Sequence, residues 1–142
     1  MGLASISKGG DKMQKLKAIV GGLILVTAGY AFAAENMPAG VQARKTDSGT
    51  VVLADAKGMT LYTYGKDSDG KSACVARCAM AWPPLAASAD AKAMGDWTVI
   101  TRDDGTKQWA YKGMPLYTFA RDAKAGDATG DGMGGNWHIA KP

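Results

Sequence analysis

The chain has 142 residues, with 17 Lys and Arg against 13 Asp and Glu and a formal net charge of +4. The excess of base sits in the first 33 residues. Lys8, Lys12, Lys15 and Lys17 against Asp11 leave 13 bases and 12 acids in the remainder, which removes the electrostatic case for a nucleic-acid partner.

From the N-terminus, residues 13–33 read as a secretory signal peptide. Lys12, Lys15 and Lys17 form a positive region, an apolar run extends from Ala18 to Gly29, and Ala31-Phe32-Ala33 offers small residues for cleavage. About a dozen apolar residues are too few to span a bilayer, so a cleaved leader is expected and no permanent membrane anchor. Residues 1–12 extend the positive region, unless Met13 is the true start. No Cys lies near the cleavage site to be lipidated. The expectation is a periplasmic or secreted domain of about 109 residues (142 − 33), an ordinary size for one domain. Within it, 34–47 is expected as a flexible leader and 48–142 as the folded part.

The folded part reads as β. Thr50-Val51-Val52-Leu53 and Leu61-Tyr62-Thr63-Tyr64 are short β-branched or aromatic runs, separated by turn residues from Asp55 to Gly58. Ser72 to Ala81 is a plausible short helix bearing Cys74 and Cys78, stopped by Trp82-Pro83-Pro84. Trp97–Thr101 and Lys107–Tyr111 flank Asp103-Asp104-Gly105, a hairpin signal. Leu116–Phe119 and Trp137–Ala140 complete the strands, with a Gly-rich loop over 123–135. After the leader Glu35 is the only Glu, and the other acids are Asp, the acid that turns prefer. The expected architecture is mostly β, a single antiparallel domain with one short Cys-bearing helix.

The chain also repeats itself. Shifted by 55, residues 57–64 (KGMTLYTY) fall on 112–119 (KGMPLYTF), Asp67 falls on Asp122, and Trp82 falls on Trp137 without a gap. Two related halves, about 48–85 and 103–140, are therefore expected to share a core that neither could bury alone. The motif residues are Tyr62, Tyr64, Asp67 and Trp82 in one half and Tyr117, Phe119, Asp122 and Trp137 in the other. These aromatics read mostly as core, a few as the lining of a groove between the halves.

These motifs resemble a bacterial family of secreted repeats, predicted lipoproteins with a Tyr-x-(Phe/Trp/Tyr)-x-x-Asp motif. That motif stands at Tyr62 to Asp67 and again at Tyr117 to Asp122. Cys74-x-x-x-Cys78 followed by Trp82-Pro83-Pro84-Leu85, and the ending from Gly126 to Trp137, are similar to the family's other signatures. The resemblance covers roughly residues 48–140 and implies an exported two-repeat module, with no activity or substrate attached.

Several motifs bear on chemistry. Gly65 to Ser72 spells the phosphate-loop pattern G-x-x-x-x-G-K-S, yet no βαβ unit or second acidic strand supports it, and it reads as a coincidence of turn residues. In an oxidising compartment Cys74 and Cys78 default to a disulfide, since four residues apart on a helical turn their Cα atoms would lie about 6 Å apart. The alternative is a copper-handling or thiol-redox pair joined by His138, the single histidine, and a Met such as Met80, because soft Cu(I) selects these ligands. The six Met after the leader read as core filler. The Asp-rich turns at 67–70 and 127–132 lack the pattern of a calcium loop. No nucleophile elbow or marked carboxylate pair is present. The expected function is a non-catalytic binding module for an unknown protein or small molecule, without a cofactor; the alternative is the copper or thiol role.

Overall fold

In a computed structural model the structure describes residues 36–142. The signal peptide and its cleavage site lie outside the described residues. Among the described residues no helix is long and apolar enough to cross a membrane.

Two hairpins of the same design frame the fold. Strands β1 (Val41–Lys45) and β2 (Val51–Asp55) pair antiparallel, as do β4 (Trp97–Thr101) and β5 (Lys107–Tyr111). Each tip closes with a left-handed glycine, Gly49 at φ 89° and Gly105 at φ 84°, which a side chain would strain. The tip bonds also match: Thr46 N–H donates to Thr50 O at 2.8 Å, and Arg102 N–H to Thr106 O at 2.8 Å. The stretch 34–47, expected as a flexible leader, thus carries β1 from Val41 onward.

The hairpins align at a spacing of 56 (Val41 with Trp97, Val51 with Lys107), whereas the residues after them align at 55. The turn after β2 accounts for the extra residue. It runs through Ala56, Lys57 and Gly58, with Asp55 Oδ1 accepting from Lys57 N–H and Met59 N–H, both at 2.9 Å. Its counterpart after β5 is the two-residue turn Lys112-Gly113, both at positive φ (49° and 82°), leading into β6 (Met114–Pro115).

Beyond the hairpins the two halves exchange strands. Strand β3 (Tyr62–Tyr64) of the first half pairs with β7 (Trp137–Ile139) of the second: Tyr62 with Ile139, Thr63 with His138, Tyr64 with Trp137. Reciprocally, Tyr117 to Phe119 run beside Trp82 to Pro84, with a bridge between Pro84 and Tyr117 and Thr118 N–H donating to Pro83 O at 2.8 Å. The expected strand Leu116–Phe119 is reduced to these bridges. The cause is local: Pro83 and Pro84 stand where the other half has His138 and Ile139, and prolines donate nothing to a ladder.

A pseudo-two-fold axis passes between the halves. Tyr62 and Tyr117, the equivalent residues, bond each other reciprocally through their backbones at 2.8 and 3.0 Å. Two buried clusters lie along this seam. One is Leu53, Leu61, Trp97, Trp109, Leu116 and Ala140; the other is Tyr62, Cys74, Trp82, Tyr117, Phe119 and Trp137.

The expected helix over Ser72–Ala81 shrinks to α1 (Arg77–Ala81), with Ala76 before it at φ 53°. The preceding residues are pinned elsewhere. Ala73 N–H donates to Asp67 Oδ1 at 2.6 Å, and the carbonyl of Cys74 accepts from Arg102 Nη2 at 2.6 Å. Cys74 and Cys78 form the expected disulfide, with Cα atoms 5.1 Å apart. It clips the irregular turn leading into α1, not a full helical turn.

Candidate functional site

The repeat motif folds into a single device at the seam. Tyr62 of the first half donates to Asp122 Oδ2 of the second at 2.6 Å, and Tyr117 of the second donates to Asp67 Oδ2 of the first at 2.6 Å. The motif is therefore read across halves: each tyrosine finds the other repeat's aspartate. Around these pairs, four rings stack in symmetric order, Tyr64 on Trp137, Trp137 on Trp82, and Trp82 on Phe119. Their centroids lie 4.3, 3.7 and 4.1 Å apart. Edge contacts of Tyr62 on Trp82 and Tyr117 on Trp137 close the array at 5.3 and 5.2 Å. Gly130 completes the packing, because a Cβ there would sit 2.5 Å from the Trp82 indole.

Each Asp is tied on its second oxygen as well. Asp122 Oδ1 accepts from the backbone and hydroxyl of Thr129, and Asp67 Oδ1 from Ala73 N–H. Burial, together with the bond to Asp67, pushes the Tyr117 hydroxyl up to about 12 from 10.0. Tyr62 is raised further by burial and by Asp122. Asp67 is also raised, because burial outweighs the bonds from Tyr117 and Ala73 and the field of Arg102. Hydroxyls held protonated against carboxylates, on fully buried rings, are fastenings. They are not bases poised for catalysis.

The second half adds a polar network beside its pair. The hydrogen of Tyr117 lies on Asp67, so Ser72 Oγ donates to Tyr117 Oη at 2.6 Å, and Arg102 Nη1 donates to Ser72 Oγ at 2.9 Å. Arg102 also donates to Gln108 Oε1 at 2.8 Å, and Gln108 passes a bond to Leu116 O at 2.8 Å. Arg102 and Gln108 were missed in the sequence, where arginine and glutamine read as surface residues by default. In the first half Thr46 and Val52 occupy the equivalent positions. Arg44 is a further omission. Its guanidinium lies against Gly58 and Gly126, and its Nε is buried without a partner among the described residues.

The structure thus brings all eight motif residues together, six of them buried and Tyr64 and Asp67 partly buried at the margin. His138 lies elsewhere: it is exposed on β7, in a cleft away from the cysteines, and Met80 is 76 % exposed. Among the described residues no group of three or more His, Cys, Asp or Glu is placed to hold a metal, so Cys74, Cys78 and His138 do not converge. The Asp-rich turns are likewise occupied internally. Asp127 Oδ2 accepts from Ala123 and Lys124 N–H, and Asp131 Oδ1 from Ile139 N–H.

Among the clefts open to a ligand, one of about 330 Å³ lies between Met37, Asp96, Trp97 and Tyr111, and two lie at the equivalent hairpin tips. One, of about 490 Å³, is lined by Thr46, Asp47 and Ser48 of the first tip with Asp131, His138 and Lys141. The other, of about 460 Å³, is lined by Arg102, Asp103 and Asp104 of the second tip with Val75, Ala76 and Ala79 beside the disulfide. Thr46 to Ser48 and Arg102 to Asp104 are equivalent at the spacing of 56, so one geometry presents two chemistries.

No curated protein and no solved structure matches this chain. A family model matches it twice, over residues 42–86 and 98–141, each match running from a hairpin to the strand given to the other half. The chain belongs to the Lipoprotein_15 family, described as a secreted repeat of unknown function.

Proposed function

We propose that the protein is a non-catalytic binding module working in the periplasm or outside the cell, with its contacts at the two hairpin tips. The observation that carries this reading is the division of labour between shared and divergent residues. The Tyr, Asp and Trp residues the repeats share are consumed in the seam, whereas the equivalent tip clefts differ, one polar with His138 and Lys141, one apolar and acidic with Val75 and Asp103. Cleft volumes of this size suit a small molecule or a side chain of a partner protein.

A second reading, thiol exchange or copper handling, draws on the position of the cysteines. Cys78 is only partly buried, and the residues around it line the second cleft. One experiment separates the two. A photoreactive residue replaces Ser48 or Asp104, and cells producing each variant are irradiated. A reproducible adduct of defined mass at a tip, absent when the same residue replaces exposed Ala120, supports the binding module. No adduct at either tip sinks it. Stoichiometric Cu(I) uptake by the reduced protein would move the function to Cys74 and Cys78.

A further inference from the structure

The two hairpins differ at their free edges in a way the tip clefts do not explain. In β4, Arg102 N–H bonds Thr106 O, and Asp96 O accepts from Lys112 N–H, so the even-numbered residues face β5. The odd ones face outward. Trp97 is covered there by a reciprocal pair with Met94 at 2.9 Å, but the N–H and C=O of Val99 and Thr101 have no hydrogen-bond partner among the described residues. In β1 the same alternation leaves Ala43 and Lys45 facing outward, with Val41 N–H covered by Pro38 O at 3.1 Å.

Sequence treats these equivalent edges oppositely. The first, Val-Gln-Ala-Arg-Lys, carries Arg44 and Lys45, the kind of charge that blunts an edge against pairing. The second, Trp-Thr-Val-Ile-Thr, has no charge and no proline, and its last four residues, Thr98 to Thr101, are all β-branched. Acids stand at both of its ends: Asp96 before it, Asp103 and Asp104 after it, all exposed. Of the nearby bases, Arg102 is buried and spends its guanidinium on Ser72, Gln108 and the Cys74 carbonyl, and Lys107 and Lys112 belong to β5 and its turn, on the inner side of β4.

We infer that the outer edge of β4 is a strand-addition site for an extended polypeptide segment with an uncharged, β-branched centre and a Lys or Arg at each end. Main-chain bonds to Val99 and Thr101 supply the pairing, and the flanking acids select the basic ends. A segment of five residues spans about 16 Å at strand rise, the length of β4 itself. A second copy of β4 does not meet this chemistry, since antiparallel pairing about Val99 would set Asp96 of one copy against Asp103 and Asp104 of the other. The site shares Asp103 and Asp104 with the second tip cleft, but the main-chain groups of Val99 and Thr101 lie outside that cleft, so amide protection on the β4 edge and adducts at the tips are separate readouts.

The test uses the isolated, isotope-labelled protein and a synthetic peptide, acetyl-Lys-Thr-Val-Thr-Val-Thr-Lys-amide. Amide exchange at Val99 and Thr101 is expected to slow about tenfold or more at saturating peptide, while Ala43 and Lys45 stay unchanged. The same peptide N-methylated at alternate amides should give no protection, and a version with Glu at both ends should bind about fivefold more weakly at low salt. Thr101→Pro removes an outward N–H without breaking the hairpin ladder and should abolish the effect. If that variant fails to fold, Thr101→Lys places a base on the edge and should weaken binding of the Lys-ended peptide. Unchanged exchange at millimolar peptide overturns the proposal, as does equal binding of the Glu-ended peptide. Protection that instead grows with protein concentration alone would replace the partner with a second copy.

Discussion

The two tyrosine–aspartate pairs share a bond length of 2.6 Å and differ in the polar groups around it. Tyr62 and Asp122 are both buried, and among the described residues only Thr129 and the Gly130 backbone add hydrogen bonds to their side chains. Tyr117 and Asp67 sit at a wetter place, with Asp67 partly exposed, and are joined to Ser72, Arg102, Gln108 and the carbonyl of Cys74. The repeats have kept the fastening and varied its surroundings. One pair is sealed by packing, the other by a polar network and a neighbouring disulfide. A duplicated unit can diverge in this manner only while each half still supplies what the other lacks.

The stack at the axis is the part where the halves should behave alike, and it carries the largest effect. Trp82→Ala and Trp137→Ala each remove a ring from the centre of four, and each should destabilise by about 3–5 kcal/mol in urea unfolding, as for other buried aromatics. Near-equal losses are the prediction. A loss at Trp82 more than about twice that at Trp137 would mean the pseudo-symmetry does not extend to energetics.

The pairs should behave unequally. Tyr62→Phe strands a carboxylate oxygen of buried Asp122, so its cost should be about 2–3 kcal/mol, near the upper end for a hydrogen bond to a charged group. Tyr117→Phe leaves Asp67 with solvent and Arg102 nearby, so about 1 kcal/mol is expected. A reversed order would show that the network around Arg102 depends on the Tyr117 hydroxyl more than burial suggests.

This asymmetry was only partly legible in the sequence. The duplication showed because Tyr, Asp and Trp recur in register. The pairing did not, because Tyr62 and Asp67 stand five apart and look local, while the actual bonds span 60 and 50 residues. Strand β1 was missed because its burial follows no clean alternation and it carries two bases; its kinship with β4 was hidden by the extra residue between Asp55 and Met59. The Cys pair was legible, but the turn it closes was not, since the Arg102 guanidinium that holds the Cys74 carbonyl comes from 28 residues away.

Alkaline pH offers a smaller, separable reading of the same contrast. Both tyrosines have folded pKa values raised above 10.0, so above pH 10 the unfolded chain loses the phenolic proton first. Their contribution is fully present below pH 10 and is lost as pH rises; for Tyr117 the loss runs to about 12. The melting temperature should therefore fall across this window, with tyrosinate absorbance appearing at the transition and not before it. Tyr117→Phe should flatten the fall. An unchanged slope in that variant would place the phenol in water. Asp67, raised from 3.8, acts in the same sense at acid pH, lending stability below that value that is lost as pH rises through its folded pKa.

The smallest effect expected lies in the turns. Lys112 holds φ 49° in a two-residue hairpin turn before Gly113, a position that asparagine occupies at less strain than lysine. Lys112→Asn also gives up the ammonium 5.0 Å from the Tyr111 ring. Relief of strain and loss of a surface cation–π contact oppose each other, each about 0.5–1 kcal/mol. The Lys112 backbone is held in this turn by its bond to Asp96 O at 2.8 Å, whatever the side chain. The ammonium is exposed and keeps little of its contact in salt, so strain relief should win by a few tenths of a kcal/mol, growing as salt is raised. In the first half, Asp55 already satisfies the longer turn through two N–H groups, so Lys57→Asn, the matching change, should move the unfolding midpoint by less. Stabilisation at Lys57 rather than Lys112 would show that the extra residue, not the left-handed lysine, is where the turns are strained.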